Sequence, residues 1–226
     1  MTDRTETACH EAGHATALYA LGFDLGDAST VADEDHLGRV ATPLGEALFD
    51  RLDMLEYLGE DGQTFMVRQI AIAFSGVKAV EILTRRELDP NSPDMDTRLP
   101  GSDFYRLNTW LPMAAGPQDQ SIVYNQAWDE AEHVLRENWD AVRAVAEALL
   151  DREGLSAEAT RSILEEAGCA RDDAPIRRVY LEVQGDILRE QRSELRTEGD
   201  PENEMEGLQA RLASIDAELE ALRSDE

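Results

Sequence analysis

Apolar residues recur at helical spacing along most of this chain, and one short stretch breaks the rhythm. "ACHEAGHATALYAL", residues 8–21, is rich in Ala and Leu and free of proline, and it stops near Gly22. This predicts a first helix with Thr5 or Thr7 as its N-cap. Residues 28–43 then alternate polar and β-branched positions around a charged centre, which predicts a short β-hairpin or a pair of edge strands. Leu48, Leu52, Leu55 and Leu58 form one face of a second helical segment. Residues 63–83 follow with Phe65, Ile70, Ile72, Phe74, Val77 and Val80. That run is apolar on nearly every side and reads as the centre of the domain.

Residues 86–102 contain three prolines among turn formers and read as a loop. Helix resumes near Asp103, breaks around Pro112–Pro117, and continues from about Ser121 to Arg152. A further helix is capped by Ser156 and stopped by Gly168. Past Pro175 the residues Val179, Val183, Ile187 and Leu188 recur at helical spacing. Leu208, Leu212, Ile215, Leu219 and Leu222 then form a heptad-like seam flanked by Glu and Arg. The two segments predict a C-terminal helical hairpin or coiled-coil element. The fold class is therefore mainly α with a small β-hairpin or edge-strand element. It divides into residues 1–170 and a helical extension, 171–226, suited to homo-oligomerisation or partner docking.

Composition narrows the function classes. With 226 residues and a net charge of -27, the chain has no basic surface for nucleic acid. Lys78 is its only lysine. No run approaches the roughly 20 apolar residues of a membrane span, so no membrane partner is expected and a cytoplasmic location is. Two cysteines make no disulfide framework. Cys9 touches the histidine motif but points about 100° away from it around the helix, so it reads as a small buried residue.

The chemistry lies in His10, Glu11 and His14. Histidines four apart share one helix face and can grip one ion, and Glu11 is turned roughly 100° away from them. That is the H-E-x-x-H arrangement: two imidazoles on zinc, with a carboxylate to take a proton from water. Ala12 and Gly13 keep the helix slim beside the ion. A catalytic site needs a third ligand. Ala17 and Ala20 rule out the metzincin continuation. Glu46 or Glu56, His36 or His133, and Asp89, Asp94, Asp96 or Asp103 of the acidic loop region all remain open on pattern alone.

"ACHEAGHATALYALG" resembles the first helix of the peptidase domain of FtsH-type ATP-dependent zinc proteases. "STVADEDHLGRVATP" is similar to that domain's substrate-binding strands, and "IAIAFSGVKAVEIL" to its central helix. "LPGSDFYRL" resembles the segment that supplies its aspartate ligand. "YNQAWDEAEHVLRENWDAVRAVAEALLDREGLSAEATRSIL" is similar to its closing helices. The resemblance spans roughly residues 7–168.

It implies zinc held by His10, His14 and Asp103, with Glu11 as general base and Glu81 orienting a ligand histidine. It also implies substrate binding along Leu37, Gly38, Arg39 and Val40. Asp96 is the competing aspartate; Gly101 and the helix after Asp103 favour the latter. Lys78 stands where the family carries arginine, and the acidic "VADEDH" would favour basic or neutral peptides. No P-loop pattern G-x-x-x-x-G-K-[ST] occurs. The expectation is a stand-alone zinc metalloendopeptidase without the ATPase module, acting on unstructured segments or a specific protein partner. The alternative is a catalytically silent zinc-binding adaptor that recruits partners through its C-terminal helices.

Overall fold

The computed structural model describes residues 4–31, 38–41, 59–86, 103–115, 119–174, 176–198 and 202–224. The helical segment of residues 44–60 up to Leu58, the loop over 87–102, most of the acidic "VADEDH" stretch and Leu37 lie outside these residues. So do the candidates His36, Glu46, Glu56, Asp89, Asp94 and Asp96. Among the described residues the chain is mainly helical, with eight helices and one small antiparallel sheet. No described helix is long and apolar enough to cross a membrane. The chain forms two compact units. The first comprises residues 1–43 and 66–173, the second 44–65 and 174–226. The second unit joins the C-terminal part of the chain with a segment from its middle.

In the first unit, α1 (Arg4–Ala20) is buried almost all round from Ala8 onward. The helix already includes Thr5 and Thr7, so neither serves as the expected N-cap. Its first turn is tied instead by Arg4, which donates to the Leu150 carbonyl at 2.9 Å and to Glu153 at 3.1 Å. The helix ends as its glycine predicts. Gly22 takes φ 94°, while the Gly22 and Phe23 amides donate back to the Tyr19 and Leu18 carbonyls. Two arginines close this end: Arg68 donates to the Leu21 carbonyl at 3.0 Å and Arg171 to the Gly22 carbonyl at 2.6 Å.

α2 (Gly59–Thr84) begins in the second unit and continues into the first, where it shares the centre with α1. The small residues of the two helices meet. A Cβ on Gly13 would stand 2.6 Å from the Ser75 carbonyl oxygen and 2.7 Å from the Ala79 Cβ. At Gly13 the backbones therefore approach more closely than any larger residue would allow. Cys9 donates weakly to the Ala79 carbonyl from the same interface, buried and structural in its surroundings.

α3 (Asp103–Ala115) includes Pro112 and ends within the range around Pro112–Pro117 where the sequence predicts a break. Proline removes one amide, and the Asn108 carbonyl it would have served belongs to an exposed residue that water can reach. α4 (Gln120–Glu137) and α5 (Trp139–Arg152) fill the helical stretch expected from about Ser121 to Arg152. The interruption is Asn138, at φ -112° and ψ 28°. Its side-chain amide donates to the Val134 carbonyl at 2.9 Å, competing with the helix ladder. α6 (Ala157–Glu166) starts with the Ser156 hydroxyl accepting from the Ala159 amide and is followed by Gly168 at φ 79°.

The sheet joins β1 (Ala28–Ser29), β2 (Arg39–Val40) and β3 (Gly154–Leu155) in the order β2-β1-β3, all antiparallel. Ala28 pairs with Val40 and with Leu155. The β1–β2 pairing matches the expected hairpin strands; β3 is additional. It is two residues long and offers no alternation for a pattern to reveal. Among the described residues β2 therefore lies at the sheet's edge.

In the second unit, α7 (Arg177–Glu198) and α8 (Glu202–Ser224) pack as a helical hairpin. Leu212, Ile215 and Leu219 of the heptad-like seam are buried with Leu181 and Leu188 of α7, and Leu208 and Leu222 pack at the margin. The apolar side of the seam is thus covered within one chain. Arg177 grips Glu218 with two hydrogen bonds, at 2.7 and 2.9 Å, and Arg189 reaches Asp216 at 2.6 Å.

Candidate metal centre

α1 brings His10 and His14 to the same face, their rings 4.6 Å apart and nearly perpendicular at 82°. Asp103, at the first position of α3, points between them. There the positive end of the helix dipole favours a carboxylate. Asp103 Oδ2 lies 3.1 Å from His10 Nε2 and 2.9 Å from His14 Nε2, and the two nitrogens are 3.0 Å apart. Among the described residues these three form a group able to hold a metal ion. Burial works against the charge on Asp103, but His14 and His10 overcome it and hold the carboxyl well below the usual range.

The donor chemistry fits zinc. Bonds of about 2.0–2.1 Å in a tetrahedral site separate donor atoms by roughly 3.3 Å, close to the spacing found here. The side chains of His10 and Asp103 stay partly accessible while His14 is buried, so the centre has an open side. Gly76 of α2 makes the room. A Cβ there would fall 2.4 Å from His14 Nε2 and 2.6 Å from both His10 Nε2 and His10 Cε1. Any larger residue would intrude on the imidazole nitrogens that face Asp103.

The outer nitrogen of His14 is held from α2. Nδ1 lies 2.8 Å from the Ile72 carbonyl oxygen and 3.3 Å from the Ser75 hydroxyl. A carbonyl only accepts, so Nδ1 carries the proton, and in the neutral ring the Nε2 lone pair is directed at the Asp103 carboxylate. That form, with its Nε2 2.9 Å from Asp103, is the one suited to sharing an ion with the carboxylate.

Glu11 is only 4% exposed. Burial pushes its carboxyl up to about 7, with His10 pulling it down and Asp103 adding to the rise. The backbone just before β2 lies directly against this carboxylate: a Cβ on Gly38 would stand 2.6 Å from Glu11 Oε1. Gly38 therefore adjoins the acid–base candidate, and Arg39 and Val40 continue the edge strand from it. Leu37 is outside the described residues.

Glu81 lies on α2, three residues after Lys78. Its carboxylate pairs with Lys78 at 3.0 Å. Lys78 also reaches Glu132 at 3.2 Å and lies 3.7 Å from the centre of the Trp128 ring. His133, one of the open third-ligand candidates, sits on the exposed side of α4 beside Glu137 at 3.4 Å.

Sequence reasoning passed over Ile72, Ser75 and the positional role of Gly76. A backbone carbonyl leaves no residue letter to read, and "SG" within an apolar helix carries no periodic signal. Compared with known proteins, the chain matches no protein-family model and none of the curated proteins.

Proposed function

We propose that this chain is a zinc-dependent metalloendopeptidase. The observation that carries the reading is the meeting of the His10, His14 and Asp103 donor atoms within 3.1 Å of one another beside the buried Glu11 carboxyl. His10, His14 and Asp103 would hold the ion, which when bound supplies Lewis-acid polarisation of a carbonyl and acidifies water.

Glu11 is the proton carrier. Its carboxylate takes the proton as water attacks the peptide carbonyl and passes it to the departing amine nitrogen. The low-dielectric setting that raises its proton affinity toward neutrality suits both halves of that transfer. Gly38 brings the backbone leading into β2 beside this group, and among the described residues β2 is an edge strand, so an extended peptide could pair along Gly38–Val40 with its scissile bond near Glu11. Recognition through backbone pairing favours unstructured segments over folded substrates.

The test is metal content and cleavage of an unfolded protein such as casein, measured for the wild type and for Glu11→Gln. One zinc per chain in both, with cleavage lost in the variant, supports the enzyme. Zinc in both with no cleavage by either points to the adaptor alternative, and no metal in either removes the centre.

A further inference from the structure

The His14 ring has a second hydrogen-bonding system on the side away from the proposed metal. The Ser75 hydroxyl donates to the Ile72 carbonyl oxygen at 2.6 Å, so its only proton is already committed. Its lone pairs remain, and Ser75 Oγ lies 3.3 Å from His14 Nδ1. The Ile72 oxygen is 2.8 Å from the same nitrogen. Both groups facing Nδ1 are acceptors, and a hydroxyl that donates one bond accepts more strongly through its oxygen. Ser75 is fully buried, so water does not replace either interaction.

From this geometry we infer that Ser75 is a positioning residue for the metal centre, locking His14 in the Nδ1–H form with Nε2 free to bind the ion. The inference rests on the metal-centre reading above. Without the hydroxyl, the ring retains the Ile72 carbonyl but loses its second acceptor and one wall against rotation. Ser75 also bonds back along its own helix, three residues to Ile72, a common local habit of serine. That habit alone would affect helix stability and leave the histidine unchanged.

Ser75→Ala and Ser75→Thr separate the two roles. Zinc affinity is measured by chelator competition for both variants and the wild type. Exchange of the His14 Nδ1 proton with solvent is followed by NMR on the zinc-loaded protein, and thermal unfolding is recorded without metal. The lock predicts that Ser75→Ala binds zinc about tenfold more weakly, in the range for lost partners of ligand histidines. It also predicts faster Nδ1 proton exchange, with Ser75→Thr restoring both. Wild-type affinity and exchange in Ser75→Ala would overturn the lock while leaving the centre standing, even if its unfolding temperature changed. Failure of the wild type itself to take up zinc would overturn both.

Discussion

A Cβ on Gly76 would stand 2.4 Å from His14 Nε2, the nitrogen that faces Asp103. Real carbon atoms do not approach so closely, so Gly76→Ala must displace either the rings or α2. Alanine is otherwise the better helix residue by roughly 1 kcal/mol. The variant is expected to remain folded and to lose stoichiometric zinc, read as metal per chain after dialysis. Wild-type zinc content in Gly76→Ala would mean that the ion, if any, is held elsewhere.

Glu11 gives a pH dependence with a definite sign. Its ordinary carboxyl value is 4.5, and burial raises it to about 7 in the folded chain. Between these values the folded, metal-free protein keeps a proton that the unfolded chain has released. Its stability therefore falls as pH rises through this window and levels off above it. Glu11→Gln removes the term. The metal-free variant should gain on the wild type by about 3 kcal/mol between pH 5 and pH 8, from the cited values and about 1.4 kcal/mol per unit. Urea unfolding in chelator at both pH values measures this. An equal gap at the two would show that the Glu11 carboxyl is not desolvated. Cleavage needs Glu11 ionised, so the acid limb of the rate profile should lie at or below about 7.

The centre was legible in the sequence to the extent that side chains of fixed spacing on one helix determine it. His10 and His14 share a face because four residues make just over one turn, and Glu11 follows from the same geometry. Asp103 comes from a distant segment, and spacing alone could not separate it from the other acidic residues of that region. Its placement at the start of a helix is what directs its carboxylate. The helices were legible from apolar periodicity, but their joints were not. Asn138 divides α4 from α5 through a side-chain bond to Val134, while α3 continues past Pro112 to Ala115 because the carbonyl the proline strands belongs to an exposed residue. Both outcomes depend on solvent access and local competition, which periodicity does not encode.

Lys78 should be a stability residue. Its ammonium lies 3.0 Å from Glu81, 3.2 Å from Glu132 and over the Trp128 ring, with the side chain only 7% exposed. Lys78→Met keeps much of the volume but leaves Glu81 without its lysine partner, and should destabilise by about 3 kcal/mol at neutral pH. A hydrogen bond from Arg136, and then one from Lys78, hold the Glu132 carboxyl below its ordinary range. This contribution is present above the ordinary carboxylate value and disappears as pH falls through the lowered one. The deficit of Lys78→Met should accordingly shrink near pH 3, where urea unfolding can compare it with the wild type. A deficit unchanged between pH 7 and pH 3 would assign Lys78's contribution to packing alone.

The hairpin of α7 and α8 bears on association. Leu212 is 5% exposed and packs with Leu181, Leu188, Ile215 and Leu219, so the apolar seam is covered by its own chain. Truncation to alanine removes buried methyl groups and leaves a cavity, and Leu212→Ala should cost about 3 kcal/mol. Because the seam is covered within the chain, the unfolding midpoint should not depend on protein concentration for either the wild type or the variant. Thermal melts over a hundredfold concentration range, followed by far-ultraviolet circular dichroism, give the answer. A midpoint that climbs with concentration in the wild type and loses that dependence in Leu212→Ala would show that the seam pairs between copies instead.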